Sequence, residues 1–139
     1  MHIRHCFGVV PLTYRQNFWE AFLVHHLNGG HWGFPKGHQE KGESPKQTAE
    51  RELFEETGME VIRYLDAPYL VEKYKYHHEG ILIDKTVRFY LAEVTPKYSL
   101  QAKEIFEGKW LPLKDLLSYV TFDEERELYL SVIKHLSSN

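Results

Sequence analysis

Arg51, Glu52, Glu55 and Glu56 are packed into one short stretch, with Glu43 and Gly37 ahead of them. On a helix Glu52 stands three positions from Glu55 and four from Glu56, so the carboxylates share one face. Nothing in folding asks for this, because like charges at that spacing destabilise a helix by about 0.2–0.5 kcal/mol per pair. Arg51 can pair with Glu55 at i+4, whereas Glu52 and Glu56 keep each other's company unrelieved. A solvated acidic face is one explanation, and a penalty of that size permits it. A hard divalent cation is the other. Mg²⁺ takes oxygen ligands, keeps several of its waters, and is typically held by one or two carboxylates together with substrate phosphates. Carboxylates on one face beside a glycine-rich loop suit such ions bridging a polyphosphate.

Spacing decides between the two. Gly37, Glu43 and then Arg51-Glu52-Leu53-Phe54-Glu55-Glu56-Thr57-Gly58-Met59 read as G-x5-E-x7-R-E-U-x-E-E-x-G-U, where U is apolar. At about one in 15 per fixed residue, chance agreement is on the order of 10⁻⁸ per window. In this pattern the chain closely resembles the Nudix hydrolases. The resemblance implies an α+β chain, an α/β/α sandwich around a mixed sheet. It also implies cleavage of a pyrophosphate bond in a nucleoside diphosphate linked to another moiety, with Mg²⁺ or Mn²⁺. On the family pattern Glu55 and Glu56 ligate metal together with the Gly37 carbonyl. Glu52 is the general base or a shared metal ligand. Arg51 and Glu43 pair and orient the helix.

The flanks are similar to one branch, the asymmetrical diadenosine tetraphosphate hydrolases. The stretch His31-Trp32-Gly33-Phe34-Pro35-Lys36-Gly37-His38 resembles that branch's approach to the motif. RNA 5′-pyrophosphohydrolases usually carry Gln-Gly-Gly where this chain has Lys36-Gly37-His38. The stretch from Lys85-Thr86-Val87 to Leu91-Ala92-Glu93-Val94 is similar too, as is Glu104 placed six before Trp110. The likeness implies a small-molecule dinucleoside polyphosphate as substrate, giving ATP and AMP. It makes Glu104 a further metal ligand or an alternative base. Lys36 and His38 become the cations for the phosphate chain, with His31 also at the substrate. Tyr76, or else Tyr74, faces adenine, and Trp32 packs under the loop or forms a wall. An aromatic near the last helix completes the base site, with Tyr129 and His135 as candidates. The loop between Tyr76 and Lys85 is slightly longer than in the animal enzymes. An RNA 5′-pyrophosphohydrolase or another nucleotide-pool pyrophosphatase uses the same chemistry and stays open. A non-catalytic nucleotide sensor fits less well, since all the motif carboxylates are present.

Composition sets the frame. The chain has 139 residues, 42% hydrophobic and 27% charged, with 8 Phe, 9 Tyr and 3 Trp. That suits one folded domain over 1–139 and excludes a disordered chain. With 17 basic against 20 acidic residues the net charge is −3. Binding bulk nucleic acid or a membrane by charge alone is therefore not expected, and neither is a stable nucleic-acid complex. No run of 18 apolar residues exists, and the N-terminal stretch has no leader pattern. Cys6 has no partner for an internal disulfide, which favours a reducing, cytoplasmic setting, and its apolar surroundings read as a small buried hydrophobe. A monomer is expected. No HExxH or HxxxE spacing implies zinc, and neither His25-His26 nor His77-His78 can chelate from a strand, where neighbours point to opposite faces.

The elements that must hold these residues follow from local signals. Residues 2–14 and 18–27 read as strands joined by a turn at Gln16-Asn17. The stretch 28–44 is a glycine-rich loop. Ser44 is a natural N-cap, Pro45 opens the helix, Gln47 completes a capping box and Gly58 ends it. Ala49, Leu53 and Phe54 are its apolar stripe. Then come a long strand over 61–76, a turn at 77–80, a return strand over 85–95 and a short strand at Trp110-Leu111. Helices follow over 113–119 and 123–136, the second capped by Asp123 and carrying Leu128, Val132, Ile133 and Leu136 at helical spacing. Strands and helices without strict βαβ alternation imply a mixed sheet with helices on its faces.

Overall fold

The computed structural model describes residues 1–27 and 30–137; Asn28 and Gly29 of the expected loop lie outside them. In chain order the elements are β1 (His2–Arg15), β2 (Phe18–His26), β3 (Trp32–Gly33), β4 (Lys36–His38), α1 (Pro45–Thr57), β5 (Val61–Tyr64), β6 (Leu70–His78), β7 (Ile81–Val94) and β8 (Ile105–Pro112). A 3₁₀ segment (Leu113–Tyr119) and α2 (Asp123–Ser137) complete the chain. The strands form one mixed sheet ordered β3-β2-β1-β7-β5, with β4 on β1, β6 on β7 and β8 on β2. β1 and β7 run parallel from His2↔Ile83 to Leu12↔Glu93, and every other pairing is antiparallel.

Period-two alternation sorts the core into two layers. Cys6, Val10 and Leu12 of β1, Ala21 and Leu23 of β2, and Val87, Phe89 and Leu91 of β7 pack under Leu128, Tyr129, Val132 and Leu136 of α2. Their strand neighbours Phe7, Val9, Phe22, Val24, Ala92 and Val94 pack under Ala49 and Leu53 of α1 and the adjoining Met59. The central strands are thus buried on both faces, as the α/β/α sandwich requires. Among the described residues no helix is long and apolar enough to cross a membrane.

Local signals hold where the structure is local. Gln16 and Asn17 both take positive φ, 55° and 71°, and close the β1–β2 hairpin. Ser44 Oγ accepts from Gln47 N at 3.2 Å and Gln47 Oε1 accepts from Ser44 N at 2.8 Å, which makes the capping box. Gly58 stops α1 at φ 74°, donating to the Phe54 carbonyl at 2.8 Å. Ser44→Ala is expected to lose about 1 kcal/mol of stability. A urea melt with an unshifted midpoint would show that the cap contributes nothing.

Several expectations need correction. The stretch 61–76 is not one strand: it breaks between β5 and β6, where Pro68 has no N–H to give to a ladder. The turn expected at 77–80 shrinks to Glu79-Gly80, with φ 52° and 77°, and His77 and His78 extend β6. The strand at Trp110-Leu111 is part of the longer β8, and 113–119 is 3₁₀ rather than α. Phe54 leaves the apolar stripe of α1 and is 56% exposed. Ahead of α2, the side chain of Glu125, not Asp123, satisfies the free amides, accepting from Thr121 N and Phe122 N at 2.9 Å each.

Candidate active site

The carboxylate face of α1 is organised by Arg51. Its guanidinium grips Glu43 through two nitrogens, at 2.6 and 3.1 Å, and donates to the His38 carbonyl at 3.0 Å. A third nitrogen reaches Glu52 at 2.9 Å and Glu55 at 3.2 Å. Loop 38–43 is thereby fastened to the middle of α1. Arg51 beside it, with the Glu40 amide, holds Glu43 down at about 2. The expectation that Glu52 stands unrelieved is corrected here: Arg51 neutralises it from the adjacent position, because a long guanidinium reaches several carboxylates at once.

Glu56 is different. It is 2% exposed, and its Oε1 has no hydrogen-bond partner among the described residues. Burial, then the charge of Glu52, pushes its carboxyl up to about 9, against the pull of Lys36. A buried oxygen of this kind is out of place unless something positive belongs beside it. Gly37 pairs with Phe7 across β4 and β1 and has no side chain, and the Glu52 carboxyl fills the space where one would stand. The donor set is therefore all oxygen: the Glu52, Glu55 and Glu56 carboxylates, with Glu52 set against the Gly37 backbone. That set fits a hard cation such as Mg²⁺. Among the described residues no three metal-binding side chains converge on one point.

Beside Glu56 a cavity of about 790 Å³ opens between β6, β7, the segment 31–36 and the start of α2. Glu56, Glu104, Lys36, His31 and Tyr76, all expected at the site, line it. All three buried side-chain atoms without a partner among the described residues, His26 Nε2, Glu56 Oε1 and Tyr129 Oη, belong to residues of this wall. Lys36 is pulled below its usual range by burial and by Lys85. Lys36, Lys75 and Lys85 share the wall with five glutamates, so a polyanion in this space needs cations of its own as well as the lysines. A second groove, of about 990 Å³, lies at the other end of the sheet by Tyr14, Phe18 and Trp19, and none of the expected residues lines it.

Other expected residues stand apart. Gly37, Glu52 and Glu55 lie on the α1 side, outside the cavity wall. The His38 ring lies 3.3 Å from Cys6 Sγ rather than in the cavity, because its position on β4 places it opposite Cys6. Trp32 stacks on His25 with ring centres 5.0 Å apart and stays out of the wall. Tyr129 is buried in the cavity floor edge-on to Phe34, while His135 bonds the Ser131 carbonyl at 2.8 Å and does not line the cavity. Sequence reasoning missed Lys85, Phe122 and Glu72 as wall residues. Phe122 is 56% exposed, with its ring 6.5 Å from His31. An apolar ring just ahead of a helix cap was the available signal. Alternation along β6, which sets Leu70, Glu72, Tyr74, Tyr76 and His78 on one face, was the signal for Glu72.

Comparison with known proteins bears on this arrangement. The NUDIX domain family matches residues 4–132. The chain is 35% identical over 117 residues to an RNA pyrophosphohydrolase of Nitratiruptor sp., covering 75% of this chain and 72% of that protein. It is 32% identical over 110 residues to the asymmetrical bis(5′-nucleosyl)-tetraphosphatase of Mus musculus, covering 74% and 71%. Several other relatives are longer proteins, of which the chain spans less than half. A C. elegans Ap4A hydrolase, solved as a binary complex, shares the fold with a TM-score of 0.80 over 98% of this chain and 99% of that one, at 24% identity. With the complete carboxylate motif on α1 and the match across nearly all of its length, the chain belongs to the NUDIX domain family and is a Nudix pyrophosphohydrolase.

Proposed function

We propose that this protein hydrolyses diadenosine tetraphosphate to ATP and AMP with Mg²⁺. The observation that carries the reading is a single cavity that brings together Glu56 and Glu104, the cations Lys36 and Lys85, and the rings of Tyr76 and Phe122. Lys36 and Lys85 hold the phosphate chain. Tyr76 and Phe122 offer ring faces to a base. The Glu55 and Glu56 carboxylates would hold Mg²⁺, which when bound would supply positive charge at the phosphates and lower the pKa of water. Water oxygen bonds to phosphorus as the bridging P–O bond breaks, and the bridging oxygen leaves on the departing nucleotide as its terminal phosphate. Glu52, held against Gly37 and balanced by Arg51, takes the proton of the attacking water, with Glu104 as the alternative base. His31 supports the substrate from the wall. His38 assists through its carbonyl, which fixes Arg51.

A second reading, RNA 5′-pyrophosphohydrolysis, is favoured by the likeness to the Nitratiruptor enzyme. Turnover of diadenosine tetraphosphate against 5′-triphosphate RNA at equal Mg²⁺ separates the two. The expected result is faster cleavage of the dinucleotide, with ATP and AMP as products; faster cleavage of the RNA overturns the proposal. If the rings hold a base, Tyr76→Ala and Phe122→Ala each raise KM about 5- to 150-fold, the range of one base–aromatic stack, with a smaller change in kcat. Unchanged KM in both would remove the rings from the substrate.

A further inference from the structure

Glu72 sits in the middle of β6, opposite Val87 of β7, and points with Tyr74 and Tyr76 into the cavity. It is 8% exposed. No hydrogen bond holds its carboxyl down, and the positive charges that act on it are those of Lys36 and Lys85. Burial pushes it up to about 7; Lys36 pulls the other way, while Glu125 and Glu124 add to the rise. A mostly buried carboxyl that faces a cavity instead of a protein donor costs stability, and an apolar residue of the same volume would be safer there. Across the floor, Tyr129 is 1% exposed, and its hydroxyl also lacks a partner among the described residues. Glu72 and Tyr129 both line the cavity. Phe34, Phe89 and Leu128 line the same cavity, with Glu124 and Glu125 beside them. Lys36 and Lys85 face the same space, and their charges act on the Glu72 carboxyl.

A wall that presents a carboxyl and a hydroxyl beside the apolar Phe34, Phe89 and Leu128 suits the edge of an aromatic heterocycle that carries hydrogen-bond donors. We infer that Glu72, assisted by the Tyr129 hydroxyl, is the specificity-determining pair of the cavity and recognises a nucleobase bearing an exocyclic amino group. The amino N–H donates to the Glu72 oxygen, and Tyr129 bonds a neighbouring ring nitrogen. This deepens the proposed function, since it rests on a nucleotide occupying this cavity, but it does not depend on which bond is cut.

The test uses adenosine 5′-monophosphate and purine riboside 5′-monophosphate, which differ only in the amino group and contain no pyrophosphate bond. Calorimetry on the whole chain should find the adenine nucleotide bound about tenfold or more tightly, the effect of one hydrogen bond to a strongly polar buried group. Glu72→Met should bring the two affinities within about twofold of each other by weakening only the adenine nucleotide. Glu72→Gln keeps an acceptor oxygen and should retain most of the preference. Tyr129→Phe keeps the packing and should lose part of it. Equal affinities in the wild type, no measurable binding of the adenine nucleotide, or a Glu72→Met protein that weakens both ligands alike each overturn the inference. The last outcome would make Glu72 a merely structural residue. Should the base preference and its loss appear while diadenosine tetraphosphate is not cleaved, the inference stands and the proposed substrate falls. Cleavage of that dinucleotide without a base preference has the opposite meaning.

Discussion

Glu56→Gln is expected to lower kcat on a dinucleoside polyphosphate by about 10³-fold or more, the scale of losing a charge-stabilising group from a water-poor site, while the fold is kept. The amide has nearly the volume of the carboxyl and removes only the charge. The same variant should be the more stable protein when no divalent cation is supplied. Glu56 is raised from its ordinary carboxylate range to about 9, so the folded chain binds a proton there that the unfolded chain has released. Stability from this group is therefore present at low pH and falls as pH rises through the window from about 4.5 to about 9. The difference in Tm between Glu56→Gln and wild type should then widen from pH 5 to pH 9. It should narrow again when Mg²⁺ is added, because the ion offsets the buried charge of the wild type alone. A Tm difference that stays flat with pH, or activity retained by the variant, would remove Glu56 from the centre of the site.

Gly37→Ala should be nearly as damaging to turnover, for a steric reason. A Cβ at this position would stand closer than 3.0 Å to the Glu52 carboxyl. What it meets is the end of a flexible side chain, so the fold survives and Glu52 gives way. Yet Glu52 is tethered to Arg51 at 2.9 Å and shares the neighbourhood of Glu56, so it cannot move without disturbing both. A displacement of about 1 Å among catalytic groups is worth about 10²-fold in rate, and a loss of that order in kcat/KM is expected with a small change in Tm. Gly8→Ala is the contrast. There the new carbon would meet the Pro35 backbone oxygen, which cannot swing aside, and the segment bearing Lys36 would be forced off β1. That variant should lose stability first and activity as a result. If the two glycine variants behave alike, the Glu52 contact is not the reason Gly37 is a glycine.

These two glycines illustrate what the amino-acid order discloses. Gly37 is legible because it belongs to a motif of fixed spacing, and so are Ser44, Gln47 and Gly58, whose hydrogen bonds close within a turn or two of helix. The alternation of β1 and β2 was equally plain, since period two needs no knowledge of a partner. Phe122 and Glu72 were missed because their roles exist only across the molecule. Phe122 looks like a loop residue until the start of α2 is laid beside His31. Glu72 looks like an ordinary strand glutamate until β6 pairs with β7 and turns it inward. His38 shows the opposite case. Its place beside the motif suggested a substrate contact, while the antiparallel register of β4 on β1 sends its ring to Cys6. The break between β5 and β6 escaped notice for a similar reason: Pro68 was the only local sign, and two strands on one face of β7 read much like one long strand.

The parallel ladder between β1 and β7 joins residues 2–12 to 83–93. The motif carboxylates all precede position 57, and the segment presenting Lys36 is seated on β1. A chain being synthesised therefore carries its full acidic motif long before it has the strand that buries β1 from the other side. During that interval the carboxylates have no enclosed space to act in, so fragments ending before β7 should be inert despite containing every residue of the motif. Catalytic competence in this protein arrives late and all at once, with the second half of the chain.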